Sequence, residues 1–247
     1  MCGSINPLLP HWESEYKMKL SAETLLILKN FASINPNFTI NEGSEIKTVS
    51  EKGTIYAMAK ISEYFDKDFW IYDLSQFLST LGMFKTPEIT FEDNENGRRY
   101  CHIVDEEDAT IQTKFWAASP NILTKVRELK QIPESQVTFT MTAVNSERLK
   151  KASGIIQCPD LKFKGGEGKI RAIVYDESGA NANTFTIDLQ DNYEGEDFEV
   201  HLKQERLKLI GGDYTYSIIG KKAIFAKNME RDIEYLVILD SDRPRVG

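Results

Sequence analysis

The short string with the most chemical promise is Gly165-Gly166-Glu167-Gly168-Lys169, whose glycines and lysine have the composition of a phosphate-cradling loop. Such a loop needs GxxxxGK followed by Ser or Thr and then a helix whose N-terminal amides face the phosphate. Here Lys169 opens the β-like run Ile-Arg-Ala-Ile-Val-Tyr-Asp, so a hairpin turn is the expectation. His11, His102 and His201 stand isolated, and no Ser or Cys sits in a GxSxG elbow. Cys2, Cys101 and Cys158 are odd in number and lack CxxC spacing, which offers no zinc framework and fits a reducing compartment. The carboxylates from Asp105 to Asp108 have the ligand chemistry of a divalent-ion site, as in a metal-dependent nuclease. Consecutive acids in a turn-like stretch are equally the pattern of a solvated loop. The expectation is a non-enzyme with no catalytic residue, no metal and no cofactor. The nuclease alternative requires magnesium-dependent DNA cleavage that mutation of Asp105 and Asp108 abolishes.

Charge points elsewhere. The 247 residues carry a net charge of −8, which argues against a broad basic face gripping nucleic acid. Its distribution is uneven. Glu88, Glu92, Asp93, Glu95 and Asp105 to Asp108 crowd one stretch against Arg98 and Arg99 alone. Arg148, Lys150 and Lys151 outnumber Glu147, and Lys203, Arg206 and Lys208 outnumber Glu205. Acidic strands and loops with basic helices imply one positive surface on a negative body.

The elements that position those cations repeat. Asp68 to Gly82 (DFWIYDLSQFLSTLG) and Asp197 to Gly211 (DFEVHLKQERLKLIG) share a plan, with Phe69 and Phe198, Ile71 and Val200, and Gly82 and Gly211 at one constant spacing. Each copy opens as a short alternating β segment and then predicts a helix, from Leu74, Phe77, Leu78 and Leu81 in the first and from Leu207 and Ile210 in the second. Each closes at a glycine suited to a helix C-cap. A second pair of predicted helices, within Ala22 to Phe31 and Ser146 to Ile155, falls in the same order, the first capped by Ser21. Strand patterns recur around them, from Phe38–Ile40 to Thr110–Trp116 and from Gln136–Val144 to Ile233–Asp240. The chain therefore reads as an α+β protein of two similar domains of about 110 residues each, with two helices apiece on antiparallel sheets. The boundaries are an arm at 1–17, a first domain at 18–118, a connector at 119–135 and a second domain at 136–247. In the connector, Ile122, Leu123, Val126 and Leu129 predict a short helix or a strap on a sheet edge. No apolar run is long enough for a membrane span and the N-terminus lacks a secretory pattern, so a cytosolic protein with no membrane partner is expected.

Several of these residues carry a family resemblance. Met18 to Phe31 (MKLSAETLLILKNF), Gly53-Thr54-Ile55-Tyr56-Ala57, Ile71-Tyr72-Asp73-Leu74 with Phe77-Leu78, and Phe115-Trp116 with Ala117-Ala118 ahead of a proline resemble the DNA polymerase sliding clamps of T-even-type bacteriophages. The resemblance covers about Met18 to Asp240. It implies the DNA-clamp fold, a homotrimeric ring of six domains whose helices line the hole, and an acidic outside that discourages DNA from binding there. It implies as partners double-stranded DNA, enclosed without sequence reading, the phage DNA polymerase, an ATP-driven clamp loader and the late transcription machinery, in the cytoplasm of an infected bacterium. The candidate DNA-lining residues are then Lys29, Arg148, Lys150, Lys151, Lys203, Arg206 and Lys208, and the adjacent Lys150 and Lys151 cannot point the same way. Ile122, Leu123, Val126 and Leu129 become candidates for a pocket that takes client peptides. The alternatives are solvated helix faces, a strap packing its own residues, and a non-catalytic interaction module that encloses no DNA.

Overall fold

The computed structural model describes residues 16–126, 135, 137–180 and 182–239. The expected arm at 1–17 lies outside them as far as residue 15; Lys17 pairs with Glu88 at 3.6 Å, and Met18 bridges Ile89 as an extension of the sheet.

The N-terminal half begins with α1 (Ala22–Ile34), where the Ser21 hydroxyl accepts from the Thr24 amide and Ile27, Leu28, Phe31 and Ile34 turn to the core. Glu63 fastens this helix start, accepting from the Ser21 amide and, at 2.6 Å, from the Thr24 hydroxyl. Burial pushes its carboxyl up, yet these donors hold it below the usual range. Strands β1 (Phe38–Ile40), β2 (Gly43–Val49), β3 (Ile55–Phe65) and β4 (Phe69–Ile71) follow. Then comes α2 (Leu74–Leu81), capped by the Asp73 carboxylate at the Gln76 amide and burying Leu74, Phe77 and Leu81. Strands β5 (Pro87–Asp93), β6 (Arg99–Asp105) and β7 (Gln112–Trp116) complete the half as an antiparallel sheet.

The C-terminal half has β8 (Val137–Met141), α3 (Ala143–Ile156), β9 (Asp160–Gly166), β10 (Lys169–Tyr175), β11 (Phe185–Asp191) and β12 (Phe198–Lys203). It ends with β13 (Tyr214–Ile219), β14 (Ala223–Asn228) and β15 (Ile233–Ile238). Helix α3 starts earlier than the sequence pattern predicts, because the Thr142 hydroxyl accepts from the Asn145 amide and claims the cap. The glycine-rich string is the β9–β10 hairpin, with Glu167 and Gly168 both at positive φ (54° and 76°) between the paired Gly166 and Lys169. That is the primed turn whose twist suits a two-residue hairpin.

One expected element is absent. The helix predicted after β12 is a single 3-10 turn at Gln204–Arg206 followed by irregular chain. At the shared spacing, the position of the capping Asp73 is taken by Leu202, which is buried, and Lys203 supplies no side-chain cap. The first-turn amides lose their acceptor, and Leu207 and Ile210 are too few to hold a helix on the core by packing. The described residues thus contain two helices in the first half and one in the second.

The halves are joined by one six-stranded sheet of order β2-β3-β15-β14-β13-β8, in which Tyr56 pairs with Leu236 and Ala59 with Ile233. Side chains brace the seam. The Tyr235 hydroxyl donates to Asn30 Oδ1 at 2.9 Å and accepts from the Ile210 amide at 3.3 Å. Asn30 Nδ2 donates to the Lys208 carbonyl at 2.9 Å, and Arg231 pairs with Glu23 at 2.7 Å. Tyr235→Phe leaves Asn30 and the Ile210 amide without their partner, and should cost about 1–2 kcal/mol in urea unfolding without a change in far-UV circular dichroism.

Asp105, which the sequence offers as a metal ligand, is instead buried and saturated. Its carboxylate accepts from the Lys85 and Thr86 amides (2.7 and 3.2 Å), the Thr86 hydroxyl (2.9 Å) and the Glu107 amide (3.0 Å), and it pins the chain leaving α2 to the end of β6. The Thr86 amide leads the donors that hold its pKa down at about 2. The folded pKa lies below the unfolded one, so this stabilisation is complete above the unfolded carboxyl range and vanishes as pH falls through about 2. The melting temperature of Asp105→Asn should therefore lie several degrees below wild type between pH 5 and 7, and the two curves should converge toward pH 2.

Candidate nucleic-acid interface and partner groove

Helix α3 carries three of the candidate cations. Leu149 and Ala152 bury one face, while Arg148, Lys150 and Lys151 are exposed with Val144, Glu147 and Ile155. Arg148 and Lys151, three apart, lie on neighbouring positions of the helix surface, and Lys150 projects about 100° further round from Lys151. The C-terminal end is closed by Gln157 in the left-handed region. Its N-terminal Ala143 amide donates to Asp213 at 2.7 Å, which ties the helix to the loop before β13. On α1, Lys29 is exposed. On α2 the exposed positions are Ser75, Gln76 and Ser79, and the helix bears no charged side chain.

The three cations after β12 sit differently. Lys203 is half-buried and bonded to Asp160, whose side chain is 5% exposed and whose other oxygen accepts from the Glu177 amide at 2.9 Å. Arg206 donates to the Ile238 carbonyl at 3.2 Å. Lys208 remains exposed, and its amine donates to the Ser33 carbonyl in the last turn of α1, where a cation meets the negative end of the helix dipole. Sequence spacing places these three on a helix face, and loss of that helix has turned them to the seam and the β12 end.

Beside the connector lies a cavity of about 600 Å³ lined by Thr39, Asn41, Glu42, Glu45, Lys47 and Trp70 from the N-terminal half and by Pro120, Leu123, Thr124, Lys125 and Val126. Of the four connector candidates, Leu123 and Val126 line it, Ile122 is 59% exposed and is not among its walls, and Leu129 lies outside the described residues. The connector begins as a 3-10 turn (Pro120–Ile122) and continues extended at Leu123. Trp70 is set by β4, and the Ala118 amide donates to its carbonyl at 2.8 Å, which holds the connector entry against that strand. The walls carry two carboxylates and two amines, with Glu45 and Lys47 paired at 2.6 Å. Trp70 and the residues from β1 and β2 were not singled out from sequence, because nothing in the chain order brings them to the connector.

Two further features were also not legible as sites. Among the described strands, β7 and β11 have no fully buried residue. Each is the edge of its sheet, in orders β5-β6-β7 and β11-β10-β9-β12. Each carries half-buried apolar side chains, Phe115 on β7 and Phe185, Ile187 and Leu189 on β11. Near β7, Arg98 lies 4.7 Å over Trp116, and Glu92 accepts from Tyr100 and contacts His102 Nδ1 at 3.0 Å. Burial pushes the Glu92 carboxyl up, but the Tyr100 and His102 contacts outweigh it and leave the pKa lowered. Asp108 accepts from the Thr110 amide and hydroxyl within its own turn, and the described residues contain no cluster of three or more acidic, His or Cys side chains arranged for a metal.

Residues 20–114 match the family model described as DNA polymerase processivity factor. Over 91% of its length the chain is 28% identical to the sliding clamp of Vibrio phage KVP40, covering 100% of that protein. It is 29% identical to those of Escherichia phage RB69 and Enterobacteria phage T4, covering 98% of each. The fold is that of the A. fulgidus PCNA solved with the C-terminal region of FEN-1 (TM-score 0.67, 10% identity, 92% of this chain and 99% of that one). The PCNA2-PCNA3 complex of Sulfolobus tokodaii is similar (TM-score 0.63, 14% identity, 90% and 98%).

The positions of the cations separate structural from solvent-facing roles. Lys203→Gln removes the partner of a buried carboxylate and should cost about 1–3 kcal/mol in urea unfolding. Lys150→Gln on the exposed face should stay within about 0.5 kcal/mol of wild type.

Proposed function

From this kinship with the sliding clamps of T-even-type phages, we propose that the chain forms a homotrimeric ring that encloses double-stranded DNA without reading its sequence and tethers the replicative polymerase to it. The ring does no chemistry on the DNA. It raises processivity by keeping the polymerase at high local concentration beside its template, so a few phosphate contacts of low occupancy suffice.

The observation that carries this reading is a pair of sheet edges, β7 in the N-terminal half and β11 in the C-terminal half, the two described strands without a fully buried residue. Pairing β7 of one subunit with β11 of the next satisfies both ladders and completes the burial of the half-buried Phe115, Phe185, Ile187 and Leu189. Such a head-to-tail contact generates a closed ring when its rotation closes, and a closed ring leaves no free edge of this kind. Each subunit then contributes two clamp domains joined by the connector at 119–135, with the cavity lined by Trp70, Leu123 and Val126 as the dock for a peptide of the polymerase or another client. An ATP-driven loader would open a single β7–β11 contact to admit DNA. Service to late transcription and residence in the cytoplasm of an infected bacterium belong to the same proposal.

Light scattering at micromolar concentration should give a mass near three times 28.2 kDa. Phe115→Asp should reduce it to that of a single subunit and abolish loader-dependent processive synthesis. A wild-type mass of one subunit at that concentration overturns the ring and leaves an interaction module with an open edge on each half.

A further inference from the structure

We propose that the cavity beside the connector is occupied by the chain's own N-terminal segment, Ile5 to Trp12, and that a client peptide must displace it. The inference rests on the reading of that cavity as a peptide dock and adds to it a competitor carried by the subunit itself.

The segment has the chemistry of a groove ligand. Residues 1–12 contain no Asp, Glu, Lys or Arg in a chain that is 28% charged, and they carry Ile5, Leu8, Leu9 and Trp12. Such a stretch gains by leaving water. Pro7 and Pro10 flank the leucines. Successive residues of a strand face opposite ways, and these two prolines are an odd number apart, so in any register along β5 one of them would put a ring where the ladder needs an amide. Lengthening that sheet is therefore a poor use of the segment. Each proline also pushes the residue before it to extended backbone, the form in which a short peptide lays side chains into a groove.

The described chain leads toward the cavity. Met18 pairs antiparallel with Ile89, with amide-to-carbonyl bonds of 3.0 and 2.9 Å in the two directions. The chain upstream of Met18 therefore heads for the Asp93 end of β5. There Arg99 holds Asp93 at 2.9 Å, donates to the Asp68 carbonyl at 2.8 Å and lies 5.6 Å from the ring of Trp70, which walls the cavity. From Tyr16, the first described residue, back to Leu9 an extended chain reaches roughly 23 Å. The walls offer Trp70, Leu123 and Val126 to the apolar side chains, and the exposed Lys125 is a cation for Glu13 or Glu15, which follow them. A volume of about 600 Å³ falls within the range of pockets that bury a ligand.

A tethered ligand acts at an effective concentration of about millimolar, so even a weak contact holds the cavity against a free peptide. The apparent affinity of a client falls in proportion to the fraction of open cavities. Weak peptides are thereby refused, and tight or multivalent clients are admitted.

The probe is a fluorescently labelled peptide of residues 4–15, titrated by anisotropy against the whole chain as wild type, as Leu8→Asp with Leu9→Asp, and as that double variant with Val126→Asp added. The double variant should bind the probe about tenfold more tightly than wild type, and Val126→Asp should remove the binding. Equal affinity in wild type and double variant, no binding to either, or a gain that survives Val126→Asp overturns the segment as occupant. In a Cys2→Ser background, Leu9→Cys with Thr124→Cys should form a disulfide on mild air oxidation, since Cys101 and Cys158 are buried. Denaturing electrophoresis should then show the mass of one subunit; the mass of two assigns the segment to another copy and overturns the proposal. Loader-dependent processive synthesis with Val126→Asp alone separates this inference from the dock reading. Lost processivity together with failed probe binding overturns the segment and leaves the client dock standing. Unchanged processivity overturns the client dock, and displacement with it.

Discussion

The pairing of β3 with β15 is the constraint on which the other features depend. It joins residues from opposite ends of the chain, Tyr56 with Leu236 and Ala59 with Ile233, so that strands from the two halves become one six-stranded sheet. Neither half then has a free edge at the seam. The angle between the halves is held by backbone ladders as well as by the Tyr235, Asn30 and Lys208 hydrogen bonds and the Arg231–Glu23 pair beside them. In the proposed ring this stiffness would matter, because an error in the angle accumulates at each interface and leaves the last contact unmade.

That seam also explains the fate of the missing helix. In the first half, Asp73 caps α2, and the helix that follows lies against a continuous apolar face of Leu74, Phe77 and Leu81. The C-terminal counterpart has Leu202 where the cap belongs, and its chain is drawn instead to the neighbouring half, where the Lys208 carbonyl accepts from Asn30 and the Lys208 amine closes α1. Contacts across the seam replace contacts within a helix. The cations of this segment change role with it, from a face of a helix to braces between elements.

The same competition sorts the charges elsewhere. Asp105 and Asp160 are acidic residues in an acidic chain, yet both are buried and bonded, one by backbone amides and a threonine hydroxyl, the other by Lys203 and the Glu177 amide. Desolvation makes an unpaired carboxylate costly, so these positions hold local chain geometry. The carboxylates that remain at the surface, such as Glu95 and Asp108, leave those turns negative, and the exposed cations of α3 stand out against them.

The sequence by itself determined the α+β class, α1, α2 and α3, the positions of most strands and the hairpin at Glu167–Gly168, because each is written in short-range periodicity, caps and turn residues. It also singled out Leu123 and Val126 as connector residues with apolar side chains. It misjudged the segment after β12, where two apolar residues at helical spacing stood in for a helix that lacked a cap. What only the tertiary structure decided were relations between distant residues: that β3 meets β15, that Trp70 and Thr39 wall the cavity beside the connector, that β7 and β11 lie at sheet edges, and that Lys203, Arg206 and Lys208 are engaged while the α3 cations are exposed. Period and propensity report the first three or four neighbours along the chain. Which donor meets which acceptor across forty or two hundred residues is set by how the sheets pack, and that is a property of the whole fold.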